Sequence, residues 1–68
     1  MKGVKDMYLN DLSNITWYSQ PIIVKEENGN VIFNNLNYVL QSVLYKHLAC
    51  RLVRSVGVDE EKMIIILK

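Results

Sequence analysis

The last two extended segments of the chain are apolar on both faces, and this limits the available folds more than any other feature. Met63-Ile64-Ile65-Ile66-Leu67 is an unbroken apolar run, and the segment before it carries Leu52, Val53, Val56 and Val58. Side chains alternate across a strand, so Met63, Ile65 and Leu67 point one way and Ile64 and Ile66 the other. One layer of helices shields one face of a sheet; the second face needs another protein surface. The chain has 68 residues, a single domain over 1–68. Domains this small lean on disulfides, a metal or association. Cys50 is the only cysteine, so no internal disulfide forms, and His47 with Cys50 makes too few ligands for zinc without acids or a second chain. Association remains. Val53, Ile64, Ile66 and Ile23 are the residues expected to carry it, in a homo-oligomer with a dimer as the leading state.

The composition is that of a folded chain, with 50% hydrophobic and 22% charged residues. Residues 1–34 carry a net charge of −1 and residues 35–68 a net charge of +2, too little in either half to signal nucleic acid by charge alone. No basic start leads into an apolar stretch, and no apolar run approaches the ~20 residues that span a bilayer. With one unpaired cysteine, the expectation is a soluble cytoplasmic protein without membrane contact.

Local patterns place the elements. Val4, Tyr8, Leu9 and Leu12 fit one face of a short helix over residues 3–12, with Asp6 suited to its N-terminal dipole. Ser13-Asn14 breaks it, and β-branched and aromatic residues over 15–19 favour a strand. Pro21 interrupts any strand that crosses it. Asn28-Gly29 between apolar runs predicts a two-residue hairpin turn. That turn sets Val24 opposite Phe33, Lys25 opposite Ile32 and Glu26 opposite Val31. Ile22, Val24, Val31 and Phe33 then form a core face, and Ile23, Lys25, Ile32 and Asn34 a mixed one. A helix follows, capped by Asn35 or Asn37, with Leu36, Val39, Leu40, Val43, Leu44, His47 and Leu48 on one stripe. Residues 50–58 and 63–67 read as strands around a polar turn at Asp59–Lys62, with Val58 opposite Met63, Val56 opposite Ile65 and Arg54 opposite Leu67. Together these give an α+β fold: a small antiparallel sheet of about four to five strands with one or two helices on one face.

Few side chains suggest chemistry. Tyr38 and Tyr45 fall opposite the Leu/Val stripe of the middle helix, with Gln41 and Ser42 between them. Tyr38, Gln41 and Tyr45 form a candidate partner-binding surface, since tyrosine is enriched in interface hot spots; the alternative is two tyrosines that merely cover loops. Lys46, Arg51 and Arg54 could meet phosphate, although Arg51 and Arg54 fall on opposite sides of a strand, and ordinary solvated charge is the competing reading. Asp59-Glu60-Glu61 suits a solvated turn better than acid–base work. His47 and Cys50 read as a core-edge histidine and a buried thiol, not as a nucleophile and its base. Trp17 reads as a core anchor, with base stacking as the alternative. The three glycines, Gly3, Gly29 and Gly57, are too far apart for a phosphate loop; Gly57 suggests a bulge or close packing. No catalytic, metal or cofactor motif is present, so no enzyme and no cofactor is expected.

Met1-Lys2 with Val4-Lys5-Asp6, the Asn28–Phe33 hairpin, and Val53 to Val56, Val58-Asp59 and Met63–Leu67 together resemble small uncharacterised proteins encoded by phages and prophages of Gram-positive bacteria. The resemblance covers about half the chain. It implies a mobile-element accessory protein acting stoichiometrically, as an inhibitor of a host defence protein by protein–protein contact. An oligomeric sponge for a nucleotide-like signal, with Lys46, Arg51 or Arg54 on phosphate, is the second reading. A small nucleic-acid-binding regulator is the third.

Overall fold

The computed structural model describes residues 7–68, with the side chains of residues 44–47 outside that description. Strand β1 (Pro21–Lys25) and strand β2 (Val31–Leu36) form the predicted hairpin, with Val24 opposite Phe33 and Ile23 opposite Asn34. Its turn is one residue longer than a two-residue loop. The Gly29 N–H donates to the Glu26 carbonyl at 2.8 Å, the Glu26 N–H donates to the Asn30 carbonyl at 2.9 Å, and Gly29 takes φ 90°. A turn closed by a left-handed glycine is a favoured three-residue hairpin connection. A bulge in β2 then takes back that one-residue shift: Lys25 pairs with Val31, Val24 pairs with Phe33, and Ile32 between them has no partner across the strand. A one-residue slip exchanges faces. Val31, expected in the core, is therefore exposed, and Ile32, expected on the mixed face, packs on the core beside Phe33.

Strand β2 runs directly into helix α2 (Asn37–His47), which leads to strands β3 (Val53–Asp59) and β4 (Lys62–Leu67). Val58 faces Met63 and Val56 faces Ile65, as the pattern predicted. Val53, not Arg54, faces Leu67, because a register shift between Val53 and Ser55 leaves Arg54 as the extra residue. Only Glu60 and Glu61 form the turn, both left-handed at φ 51° and 68°. That is the geometry of a type I′ hairpin, adopted here without glycine at about 1–2 kcal/mol of strain per residue.

The strand order is β2-β1-β4-β3, and β1 lies parallel to β4, with Ile22 beside Met63 and Val24 beside Ile65. The sheet is thus mixed, where an antiparallel sheet was expected. Its four strands place the continuous apolar run of β4 in an interior position, where neighbours on both sides satisfy its backbone.

Helix α1 (Leu9–Asn14) is shorter than the predicted helix over 3–12, whose first part lies outside the described residues. Tyr8 is extended and bridges Leu52, and the Met7 carbonyl accepts the Val53 N–H at 2.8 Å. The first N–H groups of α1 find carbonyls in the chain after α2: Leu9 donates to Arg51 at 2.8 Å and Asn10 to Ala49 at 3.2 Å. Leu9 and Leu12 from α1, with Leu40 and Leu48, close over Ile22, Val24, Ile65 and Leu67 to form one core. Both helices therefore cover the same sheet face, and the α+β class holds. Val56 and Val58 share that face by alternation but lie on the edge strand beyond the helices and are exposed. Among the described residues, no helix is long and apolar enough to cross a membrane.

Candidate functional site

The segment between α1 and β1 does not form the strand that its residue types favour. It is a turn-rich loop that carries the largest exposed aromatic side chain of the chain. Trp17 is 82% exposed, Ile15 76% and Tyr18 68%, and Tyr38 on α2 is 55% exposed. Trp17 is thus a surface residue and not a core anchor. Its burial would require the loop to fold inward, and a set of hydrogen bonds holds the loop outward.

Asn37 is the centre of that set. It is fully buried. Its Oδ1 accepts the Ser13 hydroxyl at 2.7 Å, and its Nδ2 donates to the carbonyls of Ser13 and Thr16, both at 3.0 Å. The Asn37 side chain therefore binds the C-terminal end of α1 and the start of the loop. Gln41, one turn along α2, adds a bond from its Nε2 to the Ser13 carbonyl at 3.1 Å. The Thr16 hydroxyl donates to the Leu12 carbonyl at 2.6 Å. At the far end of the loop, the N–H groups of Asn37 and Tyr38 donate to the carbonyls of Gln20 and Tyr18 at 2.9 and 3.0 Å. Gln20 Nε2 also donates to the Glu61 carbonyl at 2.9 Å, tying the loop to the β3–β4 turn. Orphan carbonyls at a helix end need partners, and here the first turn of the next helix supplies them. The backbone that carries the aromatic side chains is thus fixed at both ends of the loop, and a fixed backbone lowers the ordering cost of any contact made there.

Asn14, Ile15, Thr16, Trp17, Tyr18 and Gln41 line an open hollow of about 430 Å³. Among the described residues, no charged side chain lines it. Apolar and aromatic walls with neutral amide and hydroxyl groups suit a protein or peptide surface, not a phosphate.

The structure distributes the other candidates. Tyr38 is exposed beside Tyr18, and Gln41 lines the hollow, so two of the three expected partner-binding residues join this patch. Tyr45 and Lys46 lie on α2 with side chains outside the described residues. Arg51 stands 3.6 Å from a Glu26 carboxylate oxygen, and Arg54 donates to Glu27 at 2.6 Å. A phosphate group would have to displace these carboxylates. His47 ends α2, its side chain outside the described residues, and Cys50 is exposed, where a buried thiol was expected. Of the self-association set, Ile23, Ile64 and Ile66 share the face away from the helices. Val53 departs from it, because it lies opposite Leu67 and packs on the core.

Sequence reasoning missed Ile15, Trp17 and Tyr18 as a patch. One signal could have found them. Asn37 is in phase with Leu40, Leu44 and Leu48, so the helix stripe carries an amide at a core position. A buried amide needs partners from elsewhere in the chain, and the polar break at Ser13-Asn14 offers them.

No protein-family model matches the chain, and nothing among curated proteins or solved structures matches it.

Proposed function

We propose that the chain is a non-enzymatic binding protein that acts by occupying a protein surface with Ile15, Trp17, Tyr18 and Tyr38. One observation carries this reading: Trp17 stands exposed on a loop pinned by the buried Asn37 side chain. Trp and Tyr dominate interface hot spots because they bury a large area with few rotatable bonds. Leaving such residues in water gives nothing to the isolated fold. The resemblance to phage and prophage proteins makes a host protein, such as a defence enzyme, the class of target, met in the host cytoplasm.

Capture from a Gram-positive bacterial lysate tests the proposal, with the natural chain and a Trp17→Ala, Tyr18→Ala variant compared side by side. The variant keeps its far-ultraviolet circular dichroism and unfolding midpoint, because both side chains are exposed. A protein retained by the natural chain is lost by the variant, with affinity reduced by about 2 kcal/mol or more, the hot-spot range. Identical retained proteins for the two chains would refute the role of the patch.

A further inference from the structure

The sheet face away from the helices carries a second, independent surface. Its cross-strand rows follow from the registers. Asn34, Ile23, Ile64 and Gly57 form one row, and Val31, Lys25, Ile66 and Ser55 the next. Ile23, Ile64 and Ile66 are half-buried by their neighbours, with no element of the described chain packed above them. The charges at the two ends of this face differ in sign. At one end stand Asp59 and Lys62, followed by Glu60 and Glu61 in the turn, three acids against one lysine. At the other stand Lys25 and Arg54, with Glu27 paired to Arg54, two basic groups against one acid.

We propose that a second copy of this chain docks on this face with its strands reversed, β4 above β4. Two face-to-face arrangements with aligned strands have two-fold symmetry. An axis along the strands stacks acidic end on acidic end and basic on basic. An axis across the strands sets each acidic end over the partner's basic end, and Ile64 and Ile66 meet their counterparts in inverted order. Like charges facing each other are unfavourable and opposite charges steer and register an interface, so the charge distribution selects the reversed arrangement. The occupant is a copy of the chain because the face is complementary to itself under that rotation. Four strands about 4.8 Å apart and rows spanning about 15 Å make a small face, below a standard interface, so the dimer is a weak one with Kd on the order of 10–100 µM.

Sedimentation equilibrium up to about 1 mM, well above that Kd, reads the result. The natural chain passes from monomer to dimer over this range, and added salt shifts the transition to higher concentration. Ile64→Lys with Ile66→Lys, checked for folding by circular dichroism, weakens association about 100-fold or more, into the monomer range. Lys25→Glu alone and Glu60→Lys with Glu61→Lys alone each weaken it several-fold, and the three changes together in one chain recover part of the loss, because the reversed charges then face each other across the interface. A natural chain that stays monomeric throughout overturns the proposal. So does a dimer indifferent to both charge reversals but lost with Val56→Pro, which would place the contact on the β3 edge instead.

Discussion

Asn37→Ala is expected to remove about 2–5 kcal/mol of stability, because it strands buried polar groups instead of merely deleting contacts. The Thr16 carbonyl and the Ser13 hydroxyl lose their partners at position 37, while the Ser13 carbonyl keeps Gln41 and the Thr16 N–H. Each buried group left without a partner costs about 1–3 kcal/mol. A chain of 68 residues has about 3–10 kcal/mol of stability in all, at the usual value per residue. The variant therefore sits near its unfolding threshold at room temperature. Asn37→Asp is at least as damaging, since its carboxylate faces two carbonyls where Nδ2 donated. Ser13→Ala is milder, and the Ser13→Ala, Asn37→Ala pair falls short of the sum of the singles because both remove the same bond. Urea unfolding measures all four. An Asn37→Ala variant within about 0.5 kcal/mol of the natural chain, the range of a neutral surface substitution, would mean that the loop is held by something else.

Ile65→Ala is expected to cost about 3–5 kcal/mol, at the high end for truncation of a buried branched side chain. Ile65 is fully buried on β4, beside Val24 on one flank and Val56 on the other, beneath the helices that bring Leu9, Leu12 and Leu40. The sheet backbone cannot collapse into the vacated space without breaking both ladders, so the cavity term is near its full value. Ile65→Val removes one methylene and costs about 0.5–1.5 kcal/mol. Equal losses for Ile65→Ala and for Val58→Ala, which is exposed on the same sheet face, would show that the core is not where the alternation puts it.

Much of this fold is legible in the residues, and the failures share a cause. Val24 opposite Phe33, Val56 opposite Ile65, and the core positions Leu40, Val43 and Leu48 of the predicted helix stripe all follow from local period and turn chemistry, and all are present. The parallel pairing of β1 with β4 is not local: about forty residues separate Val24 from Ile65, and no short-range pattern announces it. The bulges at Ile32 and Arg54 each move side chains between faces, and neither leaves a glycine or proline as a marker. The site was misread for the same reason. Ile15 to Ser19 has the composition of a strand, yet Asn37, more than twenty positions away, binds the carbonyls that fix its path. Tertiary hydrogen bonds override β-propensity where a strand would have no neighbour to pair with.

Trp17 is the only tryptophan, so intrinsic fluorescence reports one side chain. Collisional quenching by acrylamide, in the native chain and in the urea-unfolded chain, asks directly whether that indole is displayed. The native quenching constant is expected to approach the unfolded one, with an emission maximum close to that of indole in water, while amide exchange shows the surrounding backbone folded. A native indole shielded several-fold from acrylamide, with emission shifted to the blue, would put Trp17 inside the domain and leave the binding surface without its anchor.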